Sequence, residues 1–259
     1  MTTHHNNYDP FDPLASFGPR VLSRLQLRLI YWGSAWNTGV QPELRATIET
    51  KLNVLLKSGY LDGLAQYNKG ARIEIEPVNA YADVDAKYDP PKDFADPADP
   101  GNPAGASHVI DEITRLLKEH EIGLPVDTSV ALLCMVIMPP GVTCSSITED
   151  GEPPVGQHFY FDYGGEKRRV YYGWVLNASA DKITAILSEE LVEAITDPEP
   201  PTGWVVRDNI GVNRELCDVC EAVTHYVTVD GKAERVLVKA YYSLKDRDAI
   251  QFETAGGAR

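Results

Sequence analysis

The chain holds no apolar run long enough to cross a bilayer. Its longest, Val130-Ala-Leu-Leu-Cys-Met-Val-Ile-Met138, has the length of a strand, against the roughly 20 apolar residues that a membrane helix needs. Basic residues are scarce, with 24 Lys and Arg against 38 Asp and Glu, a net charge of −14. Such a chain lacks the basic face that a phosphate backbone requires, so neither nucleic acid nor a membrane is an expected partner. Four cysteines in 259 residues are too few for a disulfide scaffold. Three catalytic signatures are also missing: G-x-S-x-G, G-x-x-x-x-G-K-[ST], and G-x-G-x-x-G after the first strand. Serine hydrolase, P-loop and dinucleotide-binding readings therefore lack their mechanical parts. The opening Met1-Thr-Thr-His-His-Asn-Asn-Tyr8 leads into a proline-containing stretch without the apolar core of a secretory signal, and a cytoplasmic location is expected.

What is present is enough apolar content, 43%, to build a substantial core. Residues 1–19 are polar and rich in Asp and Pro and read as an extended arm, leaving 20–259 as one domain. Leu25–Trp32 alternates and then turns apolar, as a strand entering a core does. From Gln41, Leu44, Ile48, Leu52, Leu55 and Leu56 fall at helical spacing, with Pro42 in the first turn and Gly59 past the end. Ala71–Val78 reads as a second strand. Residues 83–106 change character, with five prolines between Tyr88 and Pro103, and form a long loop that is either a lid over a site or an insertion. Ser107 caps a helix over Val109–His120 with Ile110, Ile113, Leu116 and Leu117 as its buried stripe. The apolar strand 130–138 follows. Two hairpins turn at Gly164-Gly165 and Asp230-Gly231, with a helix from Asp181 to Ile195 between them. No repeat or linker divides the chain, which predicts a mixed α/β, or α+β, single domain.

The helix Lys182-Ile-Thr-Ala-Ile-Leu-Ser-Glu-Glu-Leu-Val-Glu-Ala-Ile-Thr-Asp197 carries the most information. Projected at about 100° per residue, Glu190 falls about 20° from Ile183, inside the apolar stripe. Glu193 lies beside Ile186, Glu189 one step further round, and Asp197 between Ile186 and Glu190 if the helical path persists to Pro198. Like charges at i,i+4 oppose the helix, and an unpaired buried carboxylate costs several kcal/mol. Something must compensate. Either Glu189 and Glu193 are solvated while Glu190 meets arginine or backbone donors, or the group shares a cation, with the residue next to a ligand acting on water.

Ser188-Glu-Glu-Leu-Val-Glu-Ala-Ile-Thr-Asp-Pro198, then Gly203-Trp204, then Glu215-Leu-Cys-Asp-Val-Cys-Glu221 together resemble the S-H-E-[LI]-x-E-A-x-T-D-P, G-W and E-I-x-D-[LI]-C signature of the EXORDIUM or phosphate-induced protein family and its microbial relatives. Tyr31-Trp-Gly-Ser-Ala-Trp36 and Gly156-Gln-His158 are similar to two further elements of that family. The resemblance spans residues 31–221. It implies a zincin-like domain with a mixed sheet, whose acidic helix stands where metallopeptidases carry H-E-x-x-H, and it implies a metal-dependent hydrolase. Carried across, Glu189 and Glu193 are paired ligands, Glu190 is the general base, and Asp218 is a third ligand. The departure is Glu189, which stands where the family has His. An oxygen-only set favours calcium, magnesium or manganese, with zinc as the alternative ion. The substrate class is open, a peptide or a small molecule. The rival reading is a non-catalytic binding or structural member with a degenerate metal site.

Of the six histidines, His158 is the second catalytic candidate, because the resemblance places a His there; a structural role against a backbone carbonyl is the alternative. His4 and His5 lie in the arm, and His108 and His120 at helix ends. Cys217-Asp-Val-Cys220 admits a zinc site with His225, a redox pair or simple packing, and a Cys134–Cys144 bridge stays open. Trp32, Trp36, Tyr171, Tyr172 and Trp174 read as core.

Overall fold

The structure, a computed structural model, describes residues 13–15, 20–96, 107–145, 153–165, 168–200, 202–207, 213–220, 223–229, 234–246 and 248–250. Its centre is a mixed five-stranded sheet. The strands are β1 (Arg24–Trp32), β2 (Glu74–Asp83), β3 (Ala131–Ile137), β4 (Gly156–Tyr163) and β5 (Arg168–Val175). They lie in the order β2-β1-β3-β5-β4. The first four in that order run parallel, and β4 pairs antiparallel with β5 across the Gly164-Gly165 turn, leaving β4 as an edge. Helices α1 (Gln41–Lys57), α2 (His108–Lys118) and α3 (Ala180–Thr196) complete the α/β fold. Among the described residues no helix is long and apolar enough to cross a membrane.

The period-2 alternation of the strands divides the core between two faces. Leu25, Leu27, Leu29, Tyr31, Leu133, Met135 and Ile137 meet α1 and α3. Ile30, Trp32, Leu132, Cys134, Val136 and Trp174 meet α2 and Phe94. Helix α3 is itself covered on its far side by the hairpin of β6 (Thr224–Thr228) and β7 (Arg235–Lys239), which pair in register from Thr224↔Lys239 to Thr228↔Arg235. Enclosed between sheet and hairpin, α3 buries both flanks, where a surface helix buries one.

Several expected boundaries move. The second strand begins at Glu74 and runs to Asp83, because it follows β1 in parallel register to Trp32↔Asp83. In α2 the buried stripe holds Glu112 where Ile110 was expected, and Ile110 is only partly covered. The exchange is paid for by Arg115, whose guanidinium donates to both Glu112 oxygens (2.7 and 3.0 Å) and also pairs with Asp83. The loop after β2 is fixed as far as Asp96. Trp32 Nε1 donates to the Tyr88 carbonyl (2.6 Å), and Asp93–Phe94 pairs in parallel with Thr143–Cys144. Residues 97–106 of that loop lie outside the described residues. Of the arm, Pro13–Ala15 pairs antiparallel with Val206–Trp204; the rest of 1–19 is likewise outside. All four cysteines are free and buried, so neither bridge considered above is present.

Candidate metal centre

The site forms where the second half of α3 passes beneath the first residues of β4. Ser179 caps the helix, and from Ser188 onward its side chains meet the edge strand on one flank and β7 on the other. Ser188 Oγ donates to the Ala185 carbonyl (2.6 Å) and accepts from the Lys239 amide (2.9 Å), which fastens β7 to this turn of the helix. On the opposite flank Gly156 allows close approach: a Cβ there would lie 2.5 Å from Ile186 Cγ2 and 2.6 Å from Glu190 Oε1.

Glu190 and Glu193 are both buried, as the helical projection required for Glu190. Glu193 was expected to be solvated on one of the two readings and is not: His158 on β4 and the acids Glu215 and Asp218 stand around it. Neither carboxylate is paired with arginine or lysine among the described residues. Beside them stands His158, with Nδ1 3.5 Å from Glu190 Oε2 and 3.8 Å from Glu193 Oε2. Glu193 Oε1 is buried without a hydrogen-bond partner. Burial drives both carboxyls well above the ordinary carboxylate range, with Glu189 and Asp218 adding to the push on Glu190, and Glu215 and Asp218 on Glu193.

His158 is oriented by the end of the helix. Its Nε2 lies 3.1 Å from the Asp197 carbonyl oxygen, which can only accept, so Nε2 carries the hydrogen and Nδ1 turns its lone pair toward Glu190 and Glu193. Asp197 does not continue the helical path as the projection supposed. It leaves the helical region, which the following proline disfavours, at φ −131° and ψ 63°, and its Oδ1 accepts from the Gly203 amide (2.5 Å). A Cβ on Gly203 would stand 2.3 Å from Asp197 Cα, which accounts for glycine in the Gly203-Trp204 element.

Two further carboxylates arrive from the segment before the short 3-10 turn Asp218–Cys220. Glu215 Oε1 is 3.3 Å from His158 Nε2, and burial pushes its carboxyl up to about 8, against the pull of His158. Asp218 faces Glu189 and Glu193. Ligand atoms of Glu189, Glu193 and Asp218 all lie within 4.8 Å of one another, and so do those of His158, Glu193 and Glu215. Neighbouring ligands on one divalent ion sit about 3–5 Å apart at metal–ligand distances of 2.0–2.6 Å, so either trio can hold an ion after small adjustments. Glu189 also meets Lys239 Nζ at 3.4 Å. These groups line a cleft of about 470 Å³ together with Pro154, Gln157, Phe159 and Pro200.

The structure thus gathers the five residues singled out from sequence, Glu189, Glu190, Glu193, Asp218 and His158, into one cleft. It adds two that were missed. Glu215 opens the same Glu-Leu-Cys-Asp block as Asp218, three residues away, and that spacing was the available signal; Lys239 left none, since only the hairpin brings it to the helix. The described part of the proline-rich loop does not line the cleft. Cys217 and Cys220 belong to the core, and Cys217 Sγ lies 3.9 Å from the Glu189 carbonyl oxygen, so the pair is packing. Compared with protein-family models, with curated proteins and with solved structures, the chain matches none.

Proposed function

We propose that this cleft is a divalent-cation centre and that the protein is a metal-dependent hydrolase of metallopeptidase type. The observation that carries the reading is a pair of buried carboxylates on one helix, Glu190 and Glu193, without guanidinium compensation, beside an imidazole whose lone pair is aimed at them. The resemblance of the Ser188–Pro198 block to the EXORDIUM family, and through it to zincin-like enzymes, supports the same assignment. Glu189, Glu193 and Asp218 hold the ion. Calcium, magnesium and manganese suit those oxygens, and His158 extends the range to zinc. A bound ion supplies a Lewis acid that polarises a carbonyl and acidifies water. Glu190, inside the cleft, accepts the proton of the attacking water and returns it to the leaving group.

Differential scanning of chelator-treated protein against calcium, magnesium, manganese and zinc tests the centre. An ion at 100 times its Kd raises stability by about 2.7 kcal/mol. With the stabilising ion present, turnover of a quenched-fluorescence peptide library is expected to fall about 10²–10⁴-fold in Glu190→Gln while the ion is retained. Absence of stabilisation by all four ions overturns the reading. One observation favours the non-catalytic alternative, the ion pair of Lys239 with Glu189, which occupies a ligand with a resident cation. Ion binding without turnover of peptide or ester substrates, in wild type and Glu190→Gln alike, would select it.

A further inference from the structure

The two trios in the cleft share one residue. Glu193 belongs both to the imidazole-containing group with His158 and Glu215 and to the oxygen-only group with Glu189 and Asp218. Its two oxygens are not equivalent: Oε2 faces His158 Nδ1 at 3.8 Å, while Oε1 is buried and unpartnered. A carboxylate shared by two ligand sets, with one oxygen at the imidazole and the other buried and unsatisfied, has the arrangement of a bridge. Five carboxylates, those of Glu189, Glu190, Glu193, Glu215 and Asp218, line the cleft with His158 and Lys239. With every carboxylate ionised, Lys239 charged and the imidazole neutral, one dication offsets half of the remaining negative charge and two offset it.

We infer that the cleft holds two divalent cations bridged by Glu193, one seated by His158 and Glu215 and the other by Glu189 and Asp218. The inference rests on the cation-centre reading above and adds the second ion. The seats differ in chemistry. The imidazole seat suits a borderline ion such as zinc, and the oxygen-only seat a harder one such as magnesium or calcium; manganese suits both. In two-ion sites about 3.5–4 Å apart, one ion serves the attacking oxygen and the other the leaving oxygen, so the pair points to substrates with an anionic or strongly polarised leaving group, of which phosphate esters are the main class beside peptides.

Manganese is the probe. Equilibrium dialysis of metal-stripped protein against manganese should give two ions per chain, and the low-temperature electron paramagnetic resonance spectrum should show exchange coupling between them. Glu215→Gln and Asp218→Asn, both away from the deepest part of the cleft, should each reduce the count from two to one and abolish the coupling, and Glu193→Gln should reduce the count to zero. Circular dichroism confirms that each variant is folded before its count is read, and Glu193→Ala serves if Glu193→Gln is not. One ion in wild type, weakened by both Glu215→Gln and Asp218→Asn, overturns the pair and leaves a mononuclear centre. Two uncoupled ions, or one retained by Glu193→Gln, overturns the bridge. No bound manganese, with none of the other three ions stabilising the protein, overturns the cation centre itself.

Discussion

Glu193 concentrates the chemical tension of the molecule in one side chain. Its Oε1 is sealed from water without a donor, and leaving such a group unsatisfied costs about 1–3 kcal/mol. In the presence of chelator at pH 8, Glu193→Gln is therefore expected to raise the free energy of unfolding by about 1 kcal/mol or more, since the amide carries no charge to bury. In the same variant the stabilisation conferred by manganese should disappear. Urea denaturation with and without the ion reads both effects. A loss of stability in chelator would mean that the ionised carboxylate already has its compensation within the protein. A residue that weakens the empty fold and strengthens the loaded one is typical of sites retained for use.

At the scale of elements, the junction of α3 with β7 holds the site together. Ser188 is fully buried, and its hydroxyl is the acceptor for the Lys239 amide. Ser188→Ala should cost about 1–3 kcal/mol, because that amide loses its partner inside the core, and should loosen Lys239 from Glu189. Chemical denaturation measures the first effect, and a change in the affinity for manganese reads the second. The same junction explains what was legible in the chain and what was not. Glu190 could be placed by projection because the geometry of one helix is local, and its apolar neighbours Ile183, Leu187 and Leu191 declare the buried face. The neighbours of Glu193, His158 on β4 and the Glu215–Asp218 segment, come from distant parts of the chain, and no periodicity within α3 announces them. Glu112 took the place expected for Ile110 because Arg115 donates to both its oxygens, a compensation visible only in three dimensions. Asp197 left its expected arc for a local reason that the sequence did contain, the proline that follows it. The strand order, with β3 central and β4 reversed at the edge, is not encoded by alternation within one strand.

For the molecule as a whole, the buried carboxyls make stability depend on pH in an unusual direction. Their folded-state pKa values lie above the ordinary value of 4.5: Glu215 is pushed to about 8 and Glu112 to about 7, in both cases chiefly by burial. A carboxyl raised in this way binds its proton more tightly in the folded state. The stability it contributes is complete below about 4.5 and is lost as pH rises through its folded value. In chelator, urea midpoints should therefore fall between pH 5.5 and pH 8.5, the net charge of −14 adding to the trend. Saturating manganese should flatten or reverse it, since an ion competes with protons for the same oxygens. Midpoints that rise with pH in chelator would contradict the burial argument.

The cleft is also a late product of the chain. Its sheet wall is complete by Val175 and its helix by Thr196, yet Glu215, Asp218 and Lys239 come only afterwards, from segments that contribute no strand to the central sheet. During synthesis the nascent polypeptide therefore has its scaffold before it has its full set of charges, and α3 waits with one flank uncovered until the β6–β7 hairpin follows. A message truncated ahead of codon 224 would encode the platform and every acid of the cleft but not Lys239 or the hairpin that carries it.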